Sequence, residues 1–162
     1  MPGPTVATIG VYGASLETFL AALAGADVTL LLDVRQRRGV RGREYAWANS
    51  LRLQAALAEA SINYRHHVEL APTTELRRLQ YVEDARRGEG KRNRTVLAPE
   101  YRRRYVHEIL DRVDLNAFAA SLPRRSACAL LCVERDSCAC HRSLIAERLA
   151  GEHGARIIDL LP

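Results

Sequence analysis

Short apolar runs alternate along this chain with stretches whose apolar residues recur at helical spacing. Residues 6–12 read as a first strand, which Gly13 breaks. Ser15 suits a helix N-cap, because its hydroxyl can accept from a first-turn N–H, and Leu16, Phe19, Leu20 and Leu23 share one face of the helix it opens. Residues 28–34 are almost continuously apolar, the pattern of a strand buried on both faces, and Asp33 and Arg35 mark its end. A helix is expected over 44–60, with Trp47, Leu51 and Ala58 aligned, and residues 62–67 make a short third strand.

The middle of the chain is less regular. Residues 74–85 read as helical and 86–98 as a flexible basic loop. Pro99 fits the first turn of a helix reaching Val113, with Tyr101, Tyr105 and Ile109 on one face. Asp114 can cap a short helix that Pro123 ends. A strongly apolar strand follows over 126–133, then a polar loop over 134–140. The next helix carries Leu144, Ile145 and Leu149 and closes at Gly151 and Gly154, and residues 156–160 form the last strand.

Strands separated mostly by helices imply right-handed crossovers. The expected architecture is therefore a single α/β domain over 1–162, a mainly parallel sheet of about five strands with helices on both faces. Such sheets bind ligands at the carboxyl ends of their strands. Parallel strands would bring Tyr12 and Gly13, Asp33 and Arg35, His66 and His67, and Cys132 and Glu134 to one edge.

Composition narrows the class. At 162 residues the length suits one domain, on a prior of about 100–200 residues each. No apolar run approaches the roughly 18 residues that span a bilayer. The first residues lack a charged region followed by an apolar one, so no signal peptide is expected and the chain reads as cytoplasmic. The net charge is +5, and Lys91 is the one lysine among 24 basic residues. Arginine forks suit phosphate and carboxylate, and the positive balance favours an anionic small molecule or nucleic acid as partner. No membrane partner is expected, and the sequence leaves the oligomeric state open.

The four cysteines, at 128, 132, 138 and 140, crowd into one segment, unlike the spread of a disulfide-stapled secreted domain. Cys140 and His141 stand at the start of a helix, with Arg142 in its first turn. Unpaired N–H groups there favour an anion, Arg142 could add a fork, and the same field would make Cys140 a nucleophile. The plainer alternative is that Cys140 packs and His141 caps. Cys132, Cys138, Cys140 and His141 could instead bind zinc, although adjacent residues at 140 and 141 make joint coordination awkward. No metal or cofactor is assigned. Cys128 shares a strand face with Leu130 and reads as core.

Asp33 and Arg35 are either a substrate-binding pair or a structural ion pair that orders the loop. His66 and His67 alternate across their strand, so at most one can face a cleft. Two basic stretches remain: Arg35 to Arg43 holds five arginines and no acid, and Arg86 to Arg104 holds eight basic residues against Glu89 and Glu100. Either a nucleic-acid surface or a solvated face has this composition.

These residues together resemble the family called domain of unknown function 488. The resemblance rests on Thr8-Ile9-Gly10, Asp33-Val34-Arg35, Leu131-Cys132-Val133-Glu134 and Cys140-His141-Arg142-Ser143, with Tyr64, His66, Glu69, Leu70 and the final strand also matching. It covers nearly the whole chain, and Cys-His-Arg is its most specific part. The chain departs from the family pattern at Tyr12, where Glu is common, at Arg38 and Val40, where Pro and Ser are common, and at Ala71, where Gly is common. The family has no settled activity, so the resemblance implies a fold and a site more than a reaction.

The expectation is thus a pocket at the carboxyl edge for a phosphate, nucleotide or nucleic-acid end and, if it is catalytic, a thiol- or carboxylate-dependent enzyme. Cys140, His141, Glu134 and Asp33 are the catalytic candidates. Gly10, Arg35, His66, Glu69 and Arg142 are the ligand-binding ones. The alternatives are a non-catalytic nucleic-acid-binding or regulatory module, and a zinc-stabilised loop at the cysteines.

Overall fold

A computed structural model describes residues 2–162. Its five strands are β1 (Thr5–Ile9), β2 (Val28–Asp33), β3 (Asn63–His66), β4 (Ala127–Leu131) and β5 (Arg156–Asp159). They form one sheet in the order β3-β2-β4-β1-β5, and every pairing is parallel. The α-helices are α1 (Leu16–Gly25), α2 (Ser50–Glu59), α3 (Thr74–Arg87), α4 (Pro99–Glu108), α5 (Leu115–Ala120) and α6 (Arg142–His153). No helix among the described residues is long and apolar enough to cross a membrane.

Strand β4 is central and buried at every position, as its unbroken apolar run requires. Its alternate side chains feed two cores. Cys128 and Leu130 join Val6, Leu30 and Leu32 beneath the helices α3 to α6. Ala129 and Leu131 join Ile9 and Leu31 beneath Phe19 and Leu23 of α1 and Leu53 and Leu57 of α2. The chain leaves β1 and β2 for helices on one face and leaves β4 for α6 on the other. The carboxyl end of β4 is therefore flanked on both sides by connections running the opposite way, the condition that opens a crevice in a parallel sheet.

Ser15 caps α1 as expected: its hydroxyl accepts from the Thr18 N–H, and the Thr18 hydroxyl accepts in return from the Ser15 N–H. Asp114 likewise caps α5 by accepting from the Ala117 N–H. Three expectations need correction. The helix expected over 44–60 is a 3-10 turn, Arg43–Ala48, followed by α2, with the break at Asn49. Asn49 has extended ψ, and its side-chain oxygen accepts from the Val40 N–H at 2.7 Å, so it ties down the preceding loop instead of continuing a helix. Leu51 consequently points outward, 84% exposed, and Leu53 and Leu57 take the core face. The helix expected to reach Val113 ends at Glu108 and tightens to a 3-10 turn at Leu110–Arg112, which buries both Ile109 and Leu110. Gly151 lies within α6, and Gly154, at φ 63°, closes it alone in the left-handed conformation.

Candidate functional site

A cleft of about 850 Å³ opens at the carboxyl end of β4. Its floor is Cys132, Val133 and Glu134, just past the strand, with Ala139, Cys140 and His141 leading into α6. The loop after β2 forms one wall through Arg35, Gln36, Arg37 and Arg41. The chain between α3 and α4 forms the other through Lys91, Arg92, Asn93 and Arg94, and Tyr101 of α4 closes the bottom.

The floor residues are in contact with one another. The Cys140 Sγ lies 3.5 Å from His141 Nδ1, and the Cys132 Sγ lies 3.9 Å from the same atom. The Cys132 thiol also reaches Glu134 Oε2 at 3.1 Å. The other imidazole nitrogen, Nε2, sits 2.8 Å from the Val34 carbonyl oxygen, which can only accept, so Nε2 carries a hydrogen and Nδ1 is the nitrogen that faces the sulfurs. Residues 140 and 141 converge although they are adjacent, because Cys140 is extended and His141 is already helical. Adjacency thus does not keep their ligand atoms apart. Cys138 is exposed and lies outside the cluster.

Burial governs the electrostatics of this floor. It pushes the Cys132 thiol up to about 11, with Cys140 adding to the effect. It also raises the Glu134 carboxyl above its ordinary range, reinforced by Cys132 and opposed by Arg94. Burial alone would lower His141, but Cys132 and the Val34 carbonyl outweigh it and hold the imidazole above its usual value. Burial works against the charge of Arg94 as well, and is overcome by two carboxylates. Its guanidinium bridges Asp84 at 2.5 Å and Glu134 at 2.6 Å, and its Nε donates to the Ala139 carbonyl. Arg94 thereby ties α3, the wall loop and the floor together. The side chain of Gln80 extends this network, donating to Asp84 and accepting from the Ala98 N–H.

The remaining candidates take varied places. Arg35 lines the cleft, held in a two-pronged pair by the fully buried Asp33 and donating to the Ala48 carbonyl. Tyr64 donates to the same Asp33 carboxylate at 2.5 Å, so Asp33 faces this network and not the cleft. His66 lies 2.9 Å from the Arg35 carbonyl and braces the loop from behind. Glu69 is half exposed and pairs with His67, away from the cleft. Gly10 packs under the floor, where a Cβ would come within 2.0 Å of the Glu134 carbonyl oxygen. Arg142 is wholly buried, but it turns away from the cleft and donates to the Arg135 carbonyl, leaving Nε and Nη1 unpaired. Cys140 precedes the N-cap His141 and so stands just outside α6.

The profile of the family described as domain of unknown function DUF488 matches residues 15–149. The chain belongs to that family. The match spans β2, β3 and β4 and all of the floor and wall residues just described, and Gly10 beneath the floor precedes it. No curated protein and no solved structure matches the chain.

Sequence reasoning passed over Arg94, Gln80 and the neighbouring wall. Arg94 looked like one more cation in a basic loop, since nothing in its local pattern signals burial. Its partners, Asp84 and Glu134, lie ten and forty positions away. Tyr101 was legible as one residue of a helix face within the second basic stretch, and it is both buried and part of the cleft.

Proposed function

We propose that the cleft binds an anionic, phosphate-bearing ligand, a nucleotide or a nucleic-acid end, and that the floor cluster acts on it. The observation that carries this reading is the charge of the lining. Seven cationic side chains, Arg35, Arg37, Arg41, Arg77, Lys91, Arg92 and Arg94, face it against Glu134 as the one carboxylate. Glu134 is already bridged by Arg94, whereas Arg37, Arg41 and Lys91 have no carboxylate partner among the described residues. The cleft volume falls within the roughly 300–1,000 Å³ of small-molecule sites. At the rim, the Arg92 guanidinium sits 5.3 Å from the Tyr12 ring centroid and 5.4 Å from that of Tyr45, a platform on which a base could stack. On the floor, Cys140 and His141 supply a thiol beside an imidazole, and Glu134 a carboxyl that burial raises above its ordinary range.

Binding of labelled nucleotides and of a short 5′-phosphorylated oligonucleotide tests this directly. Replacing Arg37 and Arg41 together with Ala should weaken binding at least about tenfold, the loss of two charge-assisted contacts. If the wild-type protein binds no nucleotide, sugar phosphate or oligonucleotide at low salt, the proposal fails. The exposed placement of Arg37, Arg41 and Arg92 favours a second reading, a binder of a longer nucleic-acid backbone without chemistry. In that case Cys140→Ser would bind normally and no wild-type turnover would be found on any phosphorylated substrate.

A further inference from the structure

We propose that Cys132 Sγ, Cys140 Sγ and His141 Nδ1 hold a zinc ion at the floor of the cleft, with water in the fourth position. These three atoms lie within 4.8 Å of one another. Zinc bonds of about 2.3 Å to sulfur and about 2.0–2.1 Å to nitrogen, at the tetrahedral angle, place sulfur and nitrogen about 3.6 Å apart. The two sulfur–nitrogen separations here are 3.5 and 3.9 Å, so the cluster is already set close to that spacing.

The arrangement behind the ligands supports the same assignment. A metal-binding histidine commonly donates its second nitrogen to a carbonyl or carboxylate, which fixes the tautomer and aims the ring. Here Nε2 donates to Val34 at the end of β2, and Nδ1 is left free to bind. Glu134 approaches Cys132 and is held on its other oxygen by Arg94, a position behind the ligand set. Two thiolates and a divalent zinc sum to no net charge, so the buried cluster avoids the cost of an isolated ion. Thiolate and imidazole together select zinc over the hard, oxygen-seeking cations.

Three protein ligands with an open position are the pattern of a catalytic zinc, whereas structural sites are closed by four. All three ligand residues line the cleft, so the open position faces the cationic walls. The ion would thus meet whatever anion those walls hold, acting on it in place of a free Cys140 thiol and His141 imidazole, and only in the anion does the inference rest on the reading given above. Cys138 is exposed and takes no part, which separates this site from a four-ligand cysteine loop.

Elemental analysis of the purified protein should find about one zinc per chain, as a single such site demands. Protein stripped by a chelator and titrated with Co²⁺ should show sulfur-to-cobalt charge-transfer absorption and the visible bands of tetrahedral cobalt. Cys132→Ser and Cys140→Ser should each lose the metal, and Cys138→Ser should retain it. Because the first two positions are buried and their variants could misfold, the cobalt spectrum of the wild-type protein carries the decision. Absence of both zinc and a thiolate–cobalt spectrum overturns the proposal, as does loss of metal in Cys138→Ser or a Cys132–Cys140 disulfide that excludes cobalt. Anion binding is read separately through the Arg37 and Arg41 variants, so failure of one reading is distinguishable from failure of the other.

Discussion

At the residue scale, the most consequential side chain is Arg94. It is buried, it neutralises two buried carboxylates, and it anchors one wall of the cleft to the floor. Removing one member of a buried ion network leaves uncompensated charge, which costs about 3–5 kcal/mol. Arg94→Ala should therefore lower the unfolding free energy measured in urea by that amount, read as a lower midpoint with little change in slope. A loss under about 1 kcal/mol would show that Asp84 and Glu134 reach water without it. The thiols offer a second check. Burial pushes Cys128 up to about 12, whereas Cys138 is exposed. Mass spectrometry after iodoacetamide at mild pH should find Cys138 labelled first and Cys128 labelled only on unfolding. Early labelling of Cys128 would mean that its strand opens readily.

At the scale of elements, the exits of β1 and β4 shape the cleft floor. Gly10 follows β1 and lies directly against the backbone that follows β4, so close that a methyl group would overlap the Glu134 carbonyl. The obstacle is backbone, which cannot rotate aside. Gly10→Ala should cost at least about 2 kcal/mol, the scale of overpacking, and should displace Glu134 from Arg94. A thermal midpoint equal to that of the wild type would show that the two exits separate freely. The elements also show how far the sequence could be read. Continuous apolar runs marked β2 and β4, and Ser15 and Asp114 marked helix starts, because those signals are local. The break at Asn49 was not legible, since its cause is a bond to Val40 in the preceding loop. The same limit hid the site's wiring. Glu134, Cys140 and His141 could be placed at the carboxyl edge from the alternation of strands and helices alone. Whether Arg142 faced the cleft depended on helix rotation, which the first-turn position did not determine.

For the whole molecule, the charge is unevenly shared. The net charge is +5, yet the cleft lining alone holds seven cations and one carboxylate. Exposed cations are screened by salt far more than a buried ion network. Raising salt from about 50 to about 500 mM should weaken nucleotide binding several-fold while leaving the unfolding midpoint nearly unchanged. Equal sensitivity of the two would place the stabilising charges at the surface instead.

The strand order has a further consequence, in time instead of space. Strand β1 is interior to the sheet, and its neighbours are β4 and β5: Thr5 lies opposite Ala127 on one side and Arg156 on the other. A ribosome therefore makes this strand early and completes both of its partners much later. Until then Val6, Ala7 and Ile9 have neither the hydrogen bonds nor the packing that hold them in the finished protein. Domains rich in such distant parallel pairings fold slowly and expose unpaired strand edges while they wait. The newborn chain thus carries an unpaired apolar strand while the rest is made, and its yield should respond to the rate of translation more than to the stability of the final fold.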